Sequence, residues 1–418
     1  MNAVTASIVT IGDELLIGQT IDTNSAWIAQ RMNELGISIN RRVAVGDTIA
    51  AITQALDEEM KNCDILFLTG GLGPTADDIT KPLLCDYFGG TLIVNQDVVT
   101  HLHDLFAARK RFITARNLKQ AEVPDVCEVL FNKAGTAPGM WFEKNGKVVI
   151  ALPGVPSEMK HIMSVVALPK IAAQYTTEKL IHKHIFTAGE GESMIADKLE
   201  EIESRLPEYI KLAYLPDAGF VRLRLTGKSK QPELLETEIT YFQREIVHIL
   251  GSIVVATDSL PLEFLLIQAL EGTGKTISTA ESCTGGGIGS AITNVPGSST
   301  FYMGGVVAYS NEVKEHVLGV QKNTIVEYGA VSEQTVTEMA IGIQSQLKTN
   351  YAVAVSGVLG PNGGTERVKV GTVWMAFANE TNVVTKEFKF HYDRERNKDM
   401  AIKNALLNLL RLVQGKLG

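Results

Sequence analysis

The first 160 residues alternate between short apolar runs and amphipathic stretches. The run ASIVTIG predicts a buried strand, NSAWIAQRMNELG predicts a helix that stops at Gly36, and ISINRRVAV predicts a second strand. A second amphipathic stretch, TIAAITQALDEEM, leads into the apolar run DILFLTGG. This alternation predicts a mostly parallel sheet with helices on both faces, whose ligand sites lie beyond the carboxyl ends of the strands.

Beyond Lys170 the pattern changes. The segments HKHIFTAG and VRLRLTG predict strands, and ESMIADKLEEIESRL and ELLETEITYFQREIVHILG predict helices, which together form a small α+β module. After the linker ATDSLP, α/β alternation returns and continues to a last helix, DMAIKNALLNLLRLVQG. The predicted fold class is therefore α/β. It comprises a parallel-sheet domain over residues 1–170, the α+β module over 171–254 and a second α/β domain over 255–418.

Composition excludes several classes of protein. The 418 residues carry 39 basic and 47 acidic side chains, a formal net charge of −8, so no global positive field attracts nucleic acid or an anionic membrane. No apolar stretch reaches the roughly 18 residues that a membrane span requires, and no signal segment precedes the first strand. Four cysteines without a C-x-x-C pair argue against a disulfide framework or a zinc knuckle. We expect a cytoplasmic protein without nucleic-acid or membrane partners.

A glycine-rich turn follows the third predicted strand. In TGGLGPTADDIT, Gly70, Gly71 and Gly73 allow a phosphate to approach the backbone, and a helix beginning near Asp78 adds its N-terminal dipole. Carboxylates beside a phosphate site suggest a bridging divalent cation such as Mg²⁺. The alternative is that Asp77 or Asp78 only caps the helix.

Acidic residues also follow the first two predicted strands, namely Asp13 and Glu14 in TIGDELLIG and Asp47 in VAVGDT. Because the carboxyl ends of parallel strands meet at one edge of a sheet, these carboxylates converge with those of Asp77 and Asp78. A group of carboxylates is most easily tolerated when a cation neutralises it. The sequence therefore predicts a metal site formed by Asp13, Glu14, Asp77 and Asp78.

The segment TAESCTGGGIGSA has the composition of a nucleophile turn. The strand TISTAES carries Ser282 to its carboxyl end, and the following turn offers the N–H groups of Thr284, Gly285 and Gly286 as oxyanion donors. Ser282 as a simple helix cap is the alternative. Cys283 is a second possible nucleophile, but neighbouring residues leave a strand in opposite directions, which favours Ser282.

No histidine is well placed to activate this serine, since neither His316 nor His391 has a local aspartate partner. In VVAYSNEVKEHVLG, a strand ends near Tyr309 and Lys314 falls in the first turns of a helix, so both side chains can turn toward one pocket. A lysine base requires a pKa well below about 10.4, which a desolvated pocket provides. A solvated surface lysine is the alternative.

Four separated motifs, TIGDELLIGQTIDTNSAWIA, VGDT, TGGLGPTADDIT and LPGVPSEM, resemble the N-terminal domain of the CinA (competence/damage-inducible) family. That domain has the fold of the molybdopterin-binding MoaB/MogA proteins. The resemblance implies metal-dependent ADP-ribose pyrophosphatase activity. It implies a site that contains Asp47 and Asp78, and the adjoining glycine turn adds Gly70, Gly71, Gly73 and Thr75 to this predicted site.

The motifs AESCTGG, GGVVAYSNEVK, VSGVLGPNGG, VGTVW and DRERNK resemble the C-terminal CinA domain, also found alone as PncC. PncC hydrolyses nicotinamide mononucleotide (NMN) to nicotinate mononucleotide and ammonia. The resemblance implies that Ser282, Tyr309 and Lys314 are catalytic and that this domain needs no cofactor. The resemblance also implies that Arg396 binds the substrate. We add to the predicted substrate-binding residues Arg394, which lies beside Arg396 near a predicted helix start, and the glycines Gly360, Gly363 and Gly364 of VSGVLGPNGG.

The sequence therefore predicts an NMN deamidase with a second, cation-dependent ADP-ribose pyrophosphatase activity. The middle module resembles a KH fold but lacks the G-x-x-G loop that clamps a nucleic-acid backbone, so we expect a spacer or dimer-forming element in a homodimer. Two other hypotheses stay open at this point. They are a regulatory protein that senses nucleotides without turnover and a molybdopterin-binding protein.

Overall fold

The computed structural model describes residues 4–75, 77–175, 178–217 and 219–417. The chain divides into two compact units. The first comprises Met1–His184, Ser193–Leu215 and Leu223–Gly251, and the second comprises Ile185–Glu192, Pro216–Arg222 and Ser252–Gly418. Within the described ranges, no helix is both long and apolar enough to cross a membrane.

The N-terminal part of the chain forms a six-stranded sheet in the order β2-β1-β3-β8-β7-β6, with β4 and β5 paired separately. The strands are β1 (Thr5–Ile11), β2 (Ser38–Val45), β3 (Ile65–Thr69), β4 (Leu92–Val94), β5 (Glu122–Pro124), β6 (Glu128–Leu130), β7 (Gly139–Lys144) and β8 (Lys147–Leu152). Pairing is parallel among β2, β1, β3 and β8, and antiparallel between β8 and β7 and between β7 and β6.

Helices cover both faces of this sheet. They are α1 (Asp13–Leu16), α2 (Thr23–Glu34), α3 (Ile49–Asn62), α4 (Thr80–Phe88), α5 (Gln96–Ala108), α6 (Ala115–Leu118), α7 (Pro156–Ile162) and α8 (Leu168–Gln174), with a π-helical segment between the last two. Alternate residues of β1 enter different cores: Ala6 and Ile8 pack with α2, and Val9 and Ile11 pack with α3.

The middle module consists of β9 (Lys179–Ala188), α9 (Glu192–Arg205), β10 (Ile210–Asp217), β11 (Phe220–Ser229), α10 (Pro232–Leu250) and β12 (Val254–Ala256). Its four strands are ordered β10-β11-β9-β12. The apolar residues of β11, Val221, Leu223 and Leu225, are buried, as the alternating pattern of VRLRLTG predicts.

The C-terminal part contains α11 (Leu262–Leu270), β13 (Ile277–Glu281), α12 (Gly287–Thr293), β14 (Tyr302–Val307), α13 (Asn311–His316), α14 (Lys322–Tyr328), α15 (Glu333–Leu347), β15 (Tyr351–Gly357), β16 (Thr372–Ala378), β17 (Val383–Lys389) and α16 (Arg394–Val413). The sheet order is β14-β13-β15-β16-β17. The first three strands are parallel and the last two antiparallel. The predicted α/β class is confirmed.

The two faces of the C-terminal sheet differ in side-chain size. Val353 and Val355 face a large core that includes residues of α11 and α16, whereas Ala352 and Ala354 face α15. Alanine on the second face lets α15 lie close to the sheet. This packing fixes the carboxyl ends of β13 and β14, which carry the candidate nucleophile and its neighbours.

Candidate functional site

The carboxyl ends of two adjacent parallel strands form the centre of the candidate site. Glu281 of β13 is paired with Val307 of β14, and the N–H of Ala308 donates to the Glu281 carbonyl (2.7 Å). Ser282 follows β13, and its N–H donates to the carbonyl of Val355 (2.9 Å). Both strand ends are therefore held by backbone hydrogen bonds, and Ser282 lies at the predicted place with 8% of its surface exposed.

Lys314 contacts this serine. Its Nζ donates to Ser282 Oγ (3.1 Å) and to the carbonyl of Ala308 (2.7 Å). Ser310 caps α13 by accepting the N–H of Val313 (3.3 Å), which sets the direction in which the helix carries Lys314 inward. The lysine is 2% exposed, and this burial lowers the pKa of its amine. The structure therefore brings Ser282 and Lys314 together, as the sequence predicts, and Lys314 is not a surface lysine.

Cys283 occupies a different environment from Ser282. Its side chain belongs to the large apolar core on the α11 and α16 side of the sheet. Burial raises the pKa of its thiol to about 12. Because the thiolate is the reactive form of cysteine, this environment disfavours Cys283 as a nucleophile.

The turn between β13 and α12 contains two glycines in the left-handed region, Gly285 (φ 61°) and Gly286 (φ 90°). The N–H of Gly285 donates to the carbonyl of Ser282 (3.1 Å), so its assignment as an oxyanion donor is wrong: that donor is already used inside the turn. The N–H groups of Thr284 and Gly286 donate to no backbone acceptor in the described part of the chain. Thr284 is 0% exposed, so of these two residues only Gly286, which is half-buried, can present its N–H to a substrate beside Ser282.

Tyr309 and Arg394 form a second group. One guanidinium nitrogen of Arg394 donates to the carbonyl of Gly360 (2.6 Å) and another to the Tyr309 hydroxyl (3.3 Å). Tyr309 is 65% exposed, and no hydrogen bond joins it to Ser282 or Lys314 among the described residues. The structure thus brings Tyr309 to Arg394 and Gly360, and not to the serine–lysine pair.

The other predicted substrate residues differ in exposure. Arg396 is exposed, and its guanidinium lies over the ring of Tyr392, 5.0 Å from the ring centroid. Gly363 and Gly364 belong to the exposed loop after β15. Gly360 is buried and, with φ 95°, requires a backbone conformation that favours glycine.

Two residues near the turn were missed by sequence reasoning. Glu281 is 1% exposed and accepts three hydrogen bonds from residues 284–289; a charged residue at the end of an apolar strand was the available signal. A β-carbon built on Gly285 would lie 3.8 Å from Nζ of Lys398. Lys398 follows Arg394 by four residues on α16, a spacing that places both on one helix face.

The carboxylates of the N-terminal sheet lie at its carboxyl edge, as predicted. Asp13 and Asp47 are joined reciprocally: the Asp13 N–H donates to Asp47 Oδ2 (2.9 Å), and the Asp47 N–H donates to Asp13 Oδ1 (3.2 Å). Burial raises the pKa of Asp47, and the Asp13 N–H lowers it in part. The nearby charges of Asp13, Glu14 and Asp77 raise it further.

Asp78 closes the glycine turn. Its Oδ1 accepts the N–H of Gly73 (2.8 Å), and its Oδ2 accepts the N–H (2.9 Å) and hydroxyl of Thr75. α4 begins at Thr80, so Asp78 holds the turn before the helix. Side chains cannot replace Gly70 or Gly71, because their β-carbons would lie 2.2 Å from Ile11 O and from Thr80 Oγ1.

The predicted metal set requires a correction. Among the described residues, no group of three or more His, Cys, Asp or Glu side chains is arranged to hold a metal ion. Asp13, Glu14, Asp77 and Asp78 therefore do not form a complete protein site, in part because the Asp78 oxygens already accept hydrogen bonds within the turn. One or two carboxylates at this edge suffice for a cation that completes its coordination shell with substrate phosphates, which is a common arrangement for Mg²⁺.

Three family models match the chain in sequence order. The model described as "Probable molybdopterin binding domain" matches residues 7–173, "Damage-inducible protein CinA KH domain" matches 182–256, and "CinA C-terminal domain" matches 260–413. Among solved structures, the chain is similar to competence damage-inducible protein A from Klebsiella pneumoniae. The two sequences are 37% identical over an alignment that covers 37% of this chain and 95% of the Klebsiella chain, and the TM-score is 0.36.

Relatives of full length are also found. The chain is 46% identical over 409 residues to a CinA-like protein of Cytophaga hutchinsonii, with 97% of each chain covered. It is 45% identical over 403 residues to a CinA-like protein of Flavobacterium psychrophilum, with 96% of each covered. These matches confirm the resemblance seen in the sequence motifs: the chain belongs to the CinA family.

Proposed function

We propose that the C-terminal part of the chain hydrolyses the carboxamide of nicotinamide mononucleotide to nicotinate mononucleotide and ammonia. The observation that carries this proposal is the buried contact of 3.1 Å between Lys314 Nζ and Ser282 Oγ. No described carboxylate forms an ion pair with Lys314, and burial lowers its pKa, so the neutral amine is accessible as a base. The choice of NMN as the substrate rests on the resemblance of this domain to PncC.

The first half of the reaction forms an acyl-enzyme. Ser282 Oγ attacks the carboxamide carbon while its proton passes to the Lys314 amine. The N–H of Gly286 stabilises the oxyanion of the tetrahedral intermediate. The carbon–nitrogen bond then breaks, and the departing nitrogen takes the proton from Lys314 and leaves as ammonia.

The second half releases the acid. A water molecule attacks the ester carbon, gives a proton to Lys314, and the Ser282 oxygen leaves and recovers that proton. We assign Tyr309 to a hydrogen bond with the leaving nitrogen, which takes its proton from Lys314, and Arg394 orients the Tyr309 hydroxyl (3.3 Å). Arg394, Arg396 and Lys398 supply the positive charge that a 5′-phosphate requires.

The experiment that tests this function is an ammonia assay on the purified full chain incubated with NMN. Release of ammonia in proportion to enzyme concentration supports the proposal. The nucleotide-sensor hypothesis predicts binding of NMN without ammonia, so a calorimetric titration run beside the assay separates the two. The hypothesis of a molybdopterin-binding protein predicts neither ammonia release nor NMN binding.

Replacement of Arg396 tests the phosphate contact. We expect Arg396→Ala to raise KM for NMN by roughly 30-fold with little change in kcat, because loss of one charge-assisted hydrogen bond costs about 2 kcal/mol. Arg394→Ala lowers kcat as well, since it also frees the Tyr309 hydroxyl. Steady-state kinetics measure both, and an unchanged KM in Arg396→Ala would mean that the phosphate is bound elsewhere.

A second activity is favoured at the N-terminal edge by the reciprocal Asp13–Asp47 pair beside the glycine turn. We propose that this edge binds ADP-ribose and hydrolyses its diphosphate. Gly70 (φ 120°) and Gly71 (φ 66°) lie in the left-handed backbone region, which gives this turn a path that residues with side chains rarely adopt. A divalent cation bound there, with Asp13 and Asp47 as its first protein ligands, would neutralise phosphate charge.

The prediction for this edge is that ADP-ribose hydrolysis requires a divalent cation and falls at least tenfold in Asp47→Asn and in Asp78→Asn. The first change removes a carboxylate, and the second disrupts the turn that Asp78 closes. Asp104→Asn, an exposed site on α5, is the matched control. Activity persists in Ser282→Ala because the residues belong to different units. Hydrolysis without a cation, or loss of it in Ser282→Ala, contradicts this proposal.

A further inference from the structure

Glu281 ends strand β13 immediately before Ser282, and the proposed reaction does not yet use its carboxylate. The side chain is 1% exposed, and no lysine, arginine or histidine in the described ranges forms an ion pair with it. Removing a carboxylate from water is strongly unfavourable unless hydrogen bonds compensate. A carboxyl group at such a position calls for a specific set of hydrogen-bond donors.

Three donors surround this carboxylate, and all come from the turn and the helix that follow Ser282. Oε2 accepts the Thr284 hydroxyl (2.7 Å) and the N–H of Ile288 (3.0 Å), and Oε1 accepts the N–H of Gly289 (2.8 Å). The carboxylate therefore ties the first residue of the turn to the first turn of α12.

The backbone of Glu281 connects the same turn to the lysine. Its carbonyl accepts the N–H of Ala308 (2.7 Å), and the carbonyl of Ala308 accepts Nζ of Lys314 (2.7 Å). One residue thus contributes its side chain to the oxyanion turn and its main chain to the strand end that holds the base. Neither contact reaches the surface on which a substrate binds.

We propose that Glu281 is a positioning residue for the deamidation, which fixes the 284–286 turn so that the N–H of Gly286 points at the oxyanion. This inference rests on the proposed deamidase function. Donors stabilise a transition state most when they are preorganised, and two left-handed glycines leave the turn free to move unless it is tied from outside. The effect therefore falls on kcat and leaves KM nearly unchanged.

The Thr284 hydroxyl offers the sharpest test, because Thr284 is 0% exposed and its side chain cannot touch substrate. Thr284→Val keeps the shape and removes the hydrogen bond to Glu281, and we expect kcat to fall on the order of tenfold with KM for NMN within about twofold. Thr284→Ser restores the hydroxyl and recovers most of the rate. Glu281→Gln lowers kcat further, because one amide cannot accept from all three donors.

Thr349→Val is the matched control. Thr349 is 6% exposed, and its hydroxyl shares one hydrogen bond with Ser278 Oγ (2.7 Å), at the end of β13 opposite to Ser282. This variant also loses one buried threonine hydroxyl, and we expect it to keep the wild-type kcat. Equal kcat values in Thr284→Val and Thr349→Val, or a change confined to KM, overturn the inference while leaving the deamidase intact. A wild-type chain that releases no ammonia refutes the proposed function and the inference together.

Discussion

Ser282→Ala removes ammonia release from NMN, with kcat lower by on the order of 10³-fold or more, while the chain stays folded. The hydroxyl is the nucleophile of the proposed reaction, and alanine cannot form the acyl-enzyme. The side chain accepts one hydrogen bond, from Lys314, so its loss leaves the packing of β13 unchanged. Steady-state kinetics with a coupled ammonia assay measure the rate, and thermal unfolding measures the fold.

Cys283→Ala is the control that shows which of the two neighbouring residues is the nucleophile. The cysteine side chain lies in the apolar core, and its thiol has a pKa of about 12, so the substitution costs packing and leaves the chemistry in place. We expect a lower unfolding temperature and a kcat within a few-fold of wild type. If Cys283→Ala abolishes turnover and Ser282→Ala does not, the nucleophile is the cysteine.

Lys314→Arg is nearly as damaging as Lys314→Ala, with kcat lower by roughly 10²–10⁴-fold. Arginine keeps a positive charge but does not lose its proton near neutral pH, so it cannot act as the base. The larger guanidinium also has to enter a space that leaves the lysine 2% exposed. Lys322→Arg, at an exposed position on α14, is the control and keeps wild-type kinetics.

The pH dependence follows from the direction of the Lys314 shift. Burial lowers the pKa of this amine below its ordinary value, and the neutral form is the reactive one. We therefore expect kcat/KM to rise with pH as Lys314 loses its proton and to level off below about pH 10.4, the pKa of an unperturbed lysine. Near-normal activity in Lys314→Arg, or a rate that falls as pH rises through this range, would mean that the lysine is only an electrostatic contact.

The sequence located the two reacting groups because strand ends are local features. The apolar run before Ser282 fixes where β13 ends, and Ser310 fixes where α13 begins, so the positions of Ser282 and Lys314 follow from short segments. Their contact depends only on the adjacency of β13 and β14. The α/β class of this domain was predictable from the alternation, and the sheet order was not.

Other features depend on contacts between distant segments, which a single sequence does not specify. The Tyr309 hydroxyl accepts a hydrogen bond from Arg394, 85 residues away, through the position of α16, and the sequence did not indicate this partner. The sequence also does not tell which glycine N–H closes the turn after Ser282, so it did not separate Gly285, whose N–H donates to the Ser282 carbonyl, from the other predicted oxyanion donors. In the N-terminal sheet, Asp78 turned inward to Gly73 and Thr75, which no strand pattern indicates.

The most direct test of the central claim is chromatographic identification of the products formed from NMN by the purified full chain, with Ser282→Ala in parallel. The account predicts that wild type forms nicotinate mononucleotide and ammonia in equal amounts, that NMN disappears at the same rate, and that Ser282→Ala forms neither product. Intact NMN after prolonged incubation with wild type, or equal product formation by Ser282→Ala, would contradict it.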